Sequence, residues 1–182
     1  MGGYGNGYGY GMMGAYGAYA YSERSVPAAR VAALGDSAPS GATVDPSANR
    51  VVFASRAVTL VVVASPSGQR DETFRIAGLV NPTVVVPVGA AVHLTLVNAD
   101  TGMYHNLVVT PAGPPFSYMA MMQAPLAFPG AATPLMPPAT TSASPSAATA
   151  FVAQAAGTYT YLCTYPGHAR AGMYGRLIVR PS

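Results

Sequence analysis

Three soft side chains recur at an even spacing near the end of the chain, in Cys163-Thr-Tyr-Pro-Gly-His168-Ala-Arg-Ala-Gly-Met173. Cys163 is the only cysteine, so it has no disulfide partner within the molecule. A thiolate, an imidazole and a thioether on one loop suit copper cycling between Cu(I) and Cu(II) better than they suit a hard cation. A mononuclear copper electron-transfer site needs two His and one Cys near a trigonal plane, with a weak axial Met. The loop supplies Cys163, His168 and Met173, so one further His must come from elsewhere, and His93 and His105 are the only ones left. His105 follows the polar turn Asn98-Ala-Asp-Thr-Gly102, at a strand entrance where one loop can reach another. His93 lies in a run whose Val92, Leu94 and Leu96 should face a core, which leaves His93 toward solvent. The expected metal ligands are therefore His105, Cys163, His168 and Met173.

The elements that must position these residues read as strands. Arg50-Val-Val-Phe-Ala54, Ala57–Val63, Thr73–Ala77, Thr83–Val88, Ala91–Val97 and His105–Thr110 are β-branched runs joined by short turns. Phe151-Val-Ala-Gln154, Gly157–Leu162 and Arg176–Arg180 complete the series. Many short strands at close spacing argue for an all-β sandwich or barrel. Period-2 alternation puts Tyr159, Tyr161 and Cys163 on one face, so Cys163 can point inward. Pro166-Gly167 turns the chain between Cys163 and His168, while Gly172 and Gly175 allow close backbone approach beside Met173. Asn106 could hydrogen-bond the Cys163 loop and tie the two ligand-bearing segments together.

Ser25 as cap, Pro27 in the first turn and Gly35 as stop predict a short helix, with Val31 and Leu34 on one face. The Pro/Met/Ala/Ser-rich stretch 111–148 is too long for a hairpin loop and should cross an end or edge of the sandwich, with some short strand or turn of its own. Residues 1–24 form a Gly/Tyr-rich head, whose low complexity through Tyr21 predicts mobility. Residues 25–182 form the single folded domain.

Composition narrows the function classes. Charged residues make up 8% of the 182 residues, all nine cations are Arg, and the net charge is +3. That excludes a nucleic-acid footprint. All six acids (Glu23, Asp36, Asp45, Asp71, Glu72, Asp100) precede Thr101. A fold with few paired carboxylates has little to lose on acidification, which points to an acidic working environment; an Ala- and Gly-rich genome would produce the same bias. No apolar run approaches the length of a membrane-spanning helix. The first residues lack the pattern of a signal peptide, so an export signal or anchor is expected outside this sequence.

The motifs together resemble the cupredoxin, or blue copper, family, and within it the rusticyanin and sulfocyanin group. The resemblance is carried by Asn81-Pro-Thr-Val-Val-Val-Pro-Val-Gly-Ala90, Val97-Asn-Ala-Asp100, His105-Asn106 and Ala112-Gly-Pro-Pro-Phe116. It continues through Ala156-Gly-Thr-Tyr-Thr-Tyr-Leu-Cys163 and from Pro166-Gly-His168 to Val179. The spacing on both sides of His168 is shared with this group, and the helical segment (26–34) and two strands (50–63) before the core also resemble rusticyanin. Asn106 departs toward sulfocyanins, and the Met- and Ala-rich 111–148 stretch is unusual, which leaves the subgroup open. The resemblance implies a Greek-key β-sandwich of about seven or eight strands with a short N-terminal helical extension. It also implies one type 1 Cu(I)/Cu(II) ion and electron transfer in a respiratory chain, periplasmic or otherwise extracytoplasmic.

The expected function is thus a one-electron carrier and not an enzyme, acid-tolerant and of high potential. It would be a monomer, free or anchored to the outer face of the cytoplasmic membrane. It would dock a cytochrome or terminal oxidase near His168, with that ring at the surface as the electron's exit. Pro166, Gly167, Ala169, Ala171 and Tyr174 should surround it, with Met103, Tyr104, Pro115 and Phe116 nearby. Arg170 and Arg176 read as solvated. Three histidines cannot furnish the second copper centre of a copper oxidase or nitrite reductase. A Cys-His hydrolase would need an accessible thiolate paired with a His, and structural zinc sites prefer more Cys or His to a thioether. Copper storage or delivery is the alternative, supported only by Met119, Met121 and Met122, which read more simply as gap-filling core residues.

Overall fold

The computed structural model describes residues 22–68 and 70–181. The Gly/Tyr-rich segment through Tyr21, expected to be mobile, lies outside the described residues. Among the described residues, twelve strands form two six-stranded sheets. The first sheet is ordered β1 (Ser22–Pro27), β10 (Ala143–Ala153), β8 (Ala90–Asn98), β4 (Ala57–Ala64), β5 (Phe74–Ile76) and β6 (Leu79–Val80). The second is ordered β2 (Ala42–Asp45), β3 (Arg50–Phe53), β7 (Thr83–Pro87), β12 (Tyr174–Arg180), β11 (Gly157–Leu162) and β9 (Val108–Thr110). Pairing is antiparallel except for β4 with β8, β3 with β7 and β12 with β7. The two-layered, mostly-strand architecture is the sandwich expected, with more strands than the seven or eight implied.

The core lies between the sheets because each strand alternates. Val58, Leu60 and Val62 of β4 and Val92, Leu94 and Leu96 of β8 are buried in one cluster with Val84, Val86, Tyr161, Leu177 and Val179 of the opposite sheet. His93 falls on the other face of β8 and is exposed, as its neighbours predicted. Helix α1 (Ala28–Asp36) covers the outer face of the first sheet, where Val31 is buried with Val63 and Val97, and Leu34 packs against them.

The helix begins later than its cap signals implied. Ser25 and Pro27 belong to β1, Pro27 has extended backbone (φ −56°, ψ 134°), and no side chain caps the helix. The cause is a partner that local signals do not reveal. Residues 143–148 extend β10 backward, and Ser25 and Val26 pair with Pro145 and Ser144. The 111–148 stretch thus ends in strand. Its earlier part holds a single 3₁₀ turn at Ala120–Met122, and Met136 bridges to His105 and Ala132 to Val108.

Candidate metal centre

The site sits at one end of the sandwich, where three loops meet. The Cys163 loop leaves β11, turns through Gly167 in the left-handed region (φ 89°), forms the single turn α2 (His168–Ala171) and returns as β12. Backbone bonds draw it closed: the Cys163 amide donates to the Met173 carbonyl (3.1 Å) and the Met173 amide to the His168 carbonyl (2.9 Å). Asn81 Nδ2 donates to the Gly172 carbonyl (3.1 Å) and Arg70 to that of Ala171 (3.3 Å), pinning the loop from outside. Gly175 has to be glycine for a different reason: a Cβ there would collide with the Tyr161 ring, whose hydroxyl donates to the Pro82 carbonyl (2.6 Å).

The second loop carries His105, held by reciprocal backbone bonds with Met136. The side chain of Asn106 locks this loop to the first: its carbonyl accepts from the Thr164 amide (2.8 Å) and its Nδ2 donates to Thr164 Oγ1 (2.8 Å). That is the tie expected of it.

His105, Cys163 and His168 offer donor atoms that all lie within 4.8 Å of one another, and all three residues are buried. Cys163 Sγ is 3.7 Å from His105 Nδ1 and 3.5 Å from His168 Nδ1, and the two nitrogens are 3.1 Å apart. First-row coordination distances of roughly 2.0 Å for nitrogen and 2.3 Å for sulfur, at angles of about 100–120°, separate such donors by about 3.1–3.7 Å. The donor set therefore fits one ion. Met173 is fully buried in the same cluster as Cys163.

The surroundings set the protonation of each group. The Nε2–H of His105 donates to Asp100 Oδ2 at 3.1 Å, with Ser65 Oγ at 3.4 Å. This fixes the tautomer and leaves the Nδ1 lone pair facing Cys163, a carboxylate–histidine arrangement typical around metals. Burial alone would raise the Asp100 carboxyl, but the Gly102 amide, the His105 ring and the Met103 amide together hold it below its ordinary range. Burial lowers His105 despite Asp100, and burial with the facing His105 ring pushes His168 down to about 4. The His168 imidazole is thus neutral and able to ligate at mildly acidic pH, and burial shifts His105 in the same direction. Burial pushes the Cys163 thiol up to about 12, opposed by the Asn106 and Tyr165 amides that donate to its sulfur. A cation is what would make the thiolate favourable.

Three expectations need correction. His168 is only 1% exposed, so its ring is not at the surface. Tyr165 packs against it with ring centroids 4.7 Å apart, and the Nε2 edge faces Glu72 at 4.0 Å. Nor do the methionines at the 3₁₀ turn fill the core, since Met119 is 42% and Met122 80% exposed and Met121 is only half-buried. Ala169 and Phe116, expected around the exit, are buried instead in a small cluster with Leu162.

The reading of residue types missed Asp100, Ser65, Glu72 and Tyr165 as neighbours of the site. Asp100 had a signal, as the last acid in the chain and five residues before His105; Ser65 and Glu72 come from a loop with none.

The Sulfocyanin (SoxE) domain model matches residues 46–182. Rusticyanin from Acidithiobacillus ferrooxidans is 31% identical over 134 residues, covering 74% of this chain and 83% of the relative. Auracyanin-B from Chloroflexus aurantiacus is 31% identical over 144 residues, 75% of this chain and 58% of the relative. Among solved structures, reduced rusticyanin superposes with a TM-score of 0.75 at 27% identity, covering 87% of this chain and all (100%) of that one. Rusticyanin from Thiobacillus ferrooxidans gives a TM-score of 0.76 at 27% identity, covering 90% and 100%.

Proposed function

The chain belongs to the sulfocyanin domain family of cupredoxins, the blue copper proteins, and on that premise we propose that it is a respiratory one-electron carrier. Its type 1 copper would be held by His105, Cys163, His168 and Met173. The observation that carries this reading is the buried convergence of Cys163 Sγ with the Nδ1 atoms of His105 and His168. A bound copper ion would supply one-electron exchange between Cu(I) and Cu(II).

The chain's own residues do the rest. Asp100 orients the His105 ring, Asn106 and Thr164 fix the distance between the two ligand loops, and the Asn106 and Tyr165 amides stabilise negative charge on Cys163 sulfur. The loop bonds from Met173 and His168 resist rearrangement, so little structure needs to move when the charge of the site changes. Burial excludes water from the donors.

In this reading residues 25–182 act as one cupredoxin domain with residues 1–24 as a head, of which Ser22–Arg24 are already joined to the domain as the first half of β1. The carrier works in an acidic, periplasmic or extracytoplasmic setting, free or membrane-anchored. The absence of any carboxylate from Thr101 to Ser182 supports acid tolerance, since there is little there to protonate. The apolar cluster around the donors supports a high potential, because a poorly solvating environment favours the less charged Cu(I) state. The exposed Met103 (38%) and Tyr104 (43%), beside His105, support brief docking of a cytochrome or oxidase at this end of the molecule.

The test is the visible spectrum of the Cu(II)-loaded protein before and after ascorbate. An intense blue band that bleaches and returns on reoxidation is expected; a colourless, weakly binding protein would sink the reading. Exposure of Met119 and Met122 favours a second reading, copper storage or delivery. A Cu(I) chelator that strips the metal within seconds at neutral pH would decide for it.

A further inference from the structure

A ring that is 1% exposed cannot meet a partner directly, yet a carrier must pass its electron to one. Three aromatic rings lead outward from the donor cluster. His168 packs against Tyr165 with centroids 4.7 Å apart and an interplanar angle of 53°. Tyr165 stacks on Tyr104 with centroids 6.2 Å apart and planes 11° from parallel. Tyr165 is half-buried, and Tyr104 is 43% exposed. The Nε2 edge of His168 lies 4.0 Å from the Glu72 carboxylate, which offers a charge but no conjugated path.

We propose that the stack of His168, Tyr165 and Tyr104 is the route by which electrons enter and leave, with the exposed face of Tyr104 as the contact point for the redox partner. The inference rests on the electron-carrier reading. One electron leaves Cu(I), which becomes Cu(II), and a one-electron oxidant seated on Tyr104 gains it. No bond forms or breaks and no proton moves. The tyrosines act through their ring orbitals and are not themselves oxidised, so their hydroxyl groups are dispensable. The stack also joins the two loops that carry His105 and His168, so contact at Tyr104 meets both.

The experiment compares wild type, Tyr104→Ala, Tyr165→Leu and the two Tyr→Phe variants, all copper-loaded and reduced. Oxidation is followed by stopped flow with tris(phenanthroline)cobalt(III), a one-electron oxidant with flat aromatic ligands. Spectrum and reduction potential are recorded for each. Tyr104→Ala is expected to slow oxidation on the order of tenfold, the change that raises a barrier by ~1.4 kcal/mol, with spectrum and potential unchanged; Tyr165→Leu, which also uncovers the His168 ring, is expected to slow it as much once its own recorded potential is allowed for. The Phe variants should keep the wild-type rate. Wild-type rates in both Tyr104→Ala and Tyr165→Leu would overturn the proposal, as would Phe variants as slow as these. In copper-free wild type, diethyl pyrocarbonate should label His93 and spare His168; rapid labelling of His168 would reveal a direct edge exit and also overturn it. Absence of a blue band in wild type would instead defeat the carrier reading itself. Tyr104→Ala guards against a Tyr165 variant that fails to fold, because it removes only an exposed ring.

Discussion

Replacing Asp100 with Asn should raise the reduction potential. The Asp100 carboxylate accepts from His105 Nε2 at 3.1 Å, and is held ionised by the neighbouring Gly102 and Met103 amides and the His105 ring. Adding the imidazole ring and a coordination bond of roughly 2 Å puts its charge about 7 Å from an ion on Nδ1. At an effective dielectric near 20, two unit charges at that separation interact by about 2.4 kcal/mol. The Asp100 side chain is 16% exposed, so solvent screening lowers this to about 1–2 kcal/mol. For a one-electron couple, 59 mV is a factor of ten, so the loss amounts to roughly 40–90 mV. The sign follows from which state the carboxylate favours: it stabilises the more positive Cu(II), and its removal favours Cu(I). Asn keeps an acceptor for Nε2–H, which limits the change to charge. Protein-film voltammetry at pH 7, with the blue band as a check on geometry, measures the effect. A potential that is unchanged or lower in Asp100→Asn would refute the electrostatic role assigned to this residue.

Three other outcomes follow from the same geometry. Because burial pushes the Cys163 thiol up to about 12, the copper-free protein should react slowly with iodoacetamide at pH 8 and quickly once denatured; fast labelling of folded protein would reopen a nucleophilic role. Copper-free protein should lose stability as pH falls from 6.5 toward 4. His168 there binds a proton only on unfolding, because its folded value is depressed to about 4 from 6.5 and the unfolded state takes up more protons across that window. A flat melting temperature over this range would contradict the burial assigned to His168. Met173→Leu should keep the blue band and shift the potential, as removal of a weak axial ligand does, and an unchanged potential would argue against axial contact.

Residue pattern exposed the inner architecture because alternation is local. Val92, Leu94 and Leu96 point inward and His93 outward for a reason present in five consecutive residues. The even spacing of Cys163, His168 and Met173 is likewise local, and a loop that folds back on itself through their backbone groups keeps them together. Failures came where the deciding partner was distant. Ser25 and Pro27 read as a helix start, but their strand depends on residues 143–148, more than a hundred positions away. His168 read as a surface residue because the expected carrier function needs an electron exit there. Its cover comes from Tyr165, with Glu72 supplied by the turn after β4. Asn106 was legible because it adjoins His105, whereas its partner Thr164 had no such signal, although it adjoins Cys163.

Complete burial of the three donors would also make the site a kinetic trap for a bound ion. A chelator would reach the metal only when the Cys163–Met173 clasp opens, so the residence time of the ion would be set by how often that segment opens, not by the strength of any one coordination bond. Local openings of this sort have their own free energy, smaller than that of global unfolding. Metal escape and amide hydrogen exchange at Cys163 and Met173 should then share one rate-limiting event, and any substitution that slackens the clasp would speed both together. A carrier built this way can shuttle electrons many times on a single ion, with its inventory of metal protected by the same hydrogen bonds that shape the site.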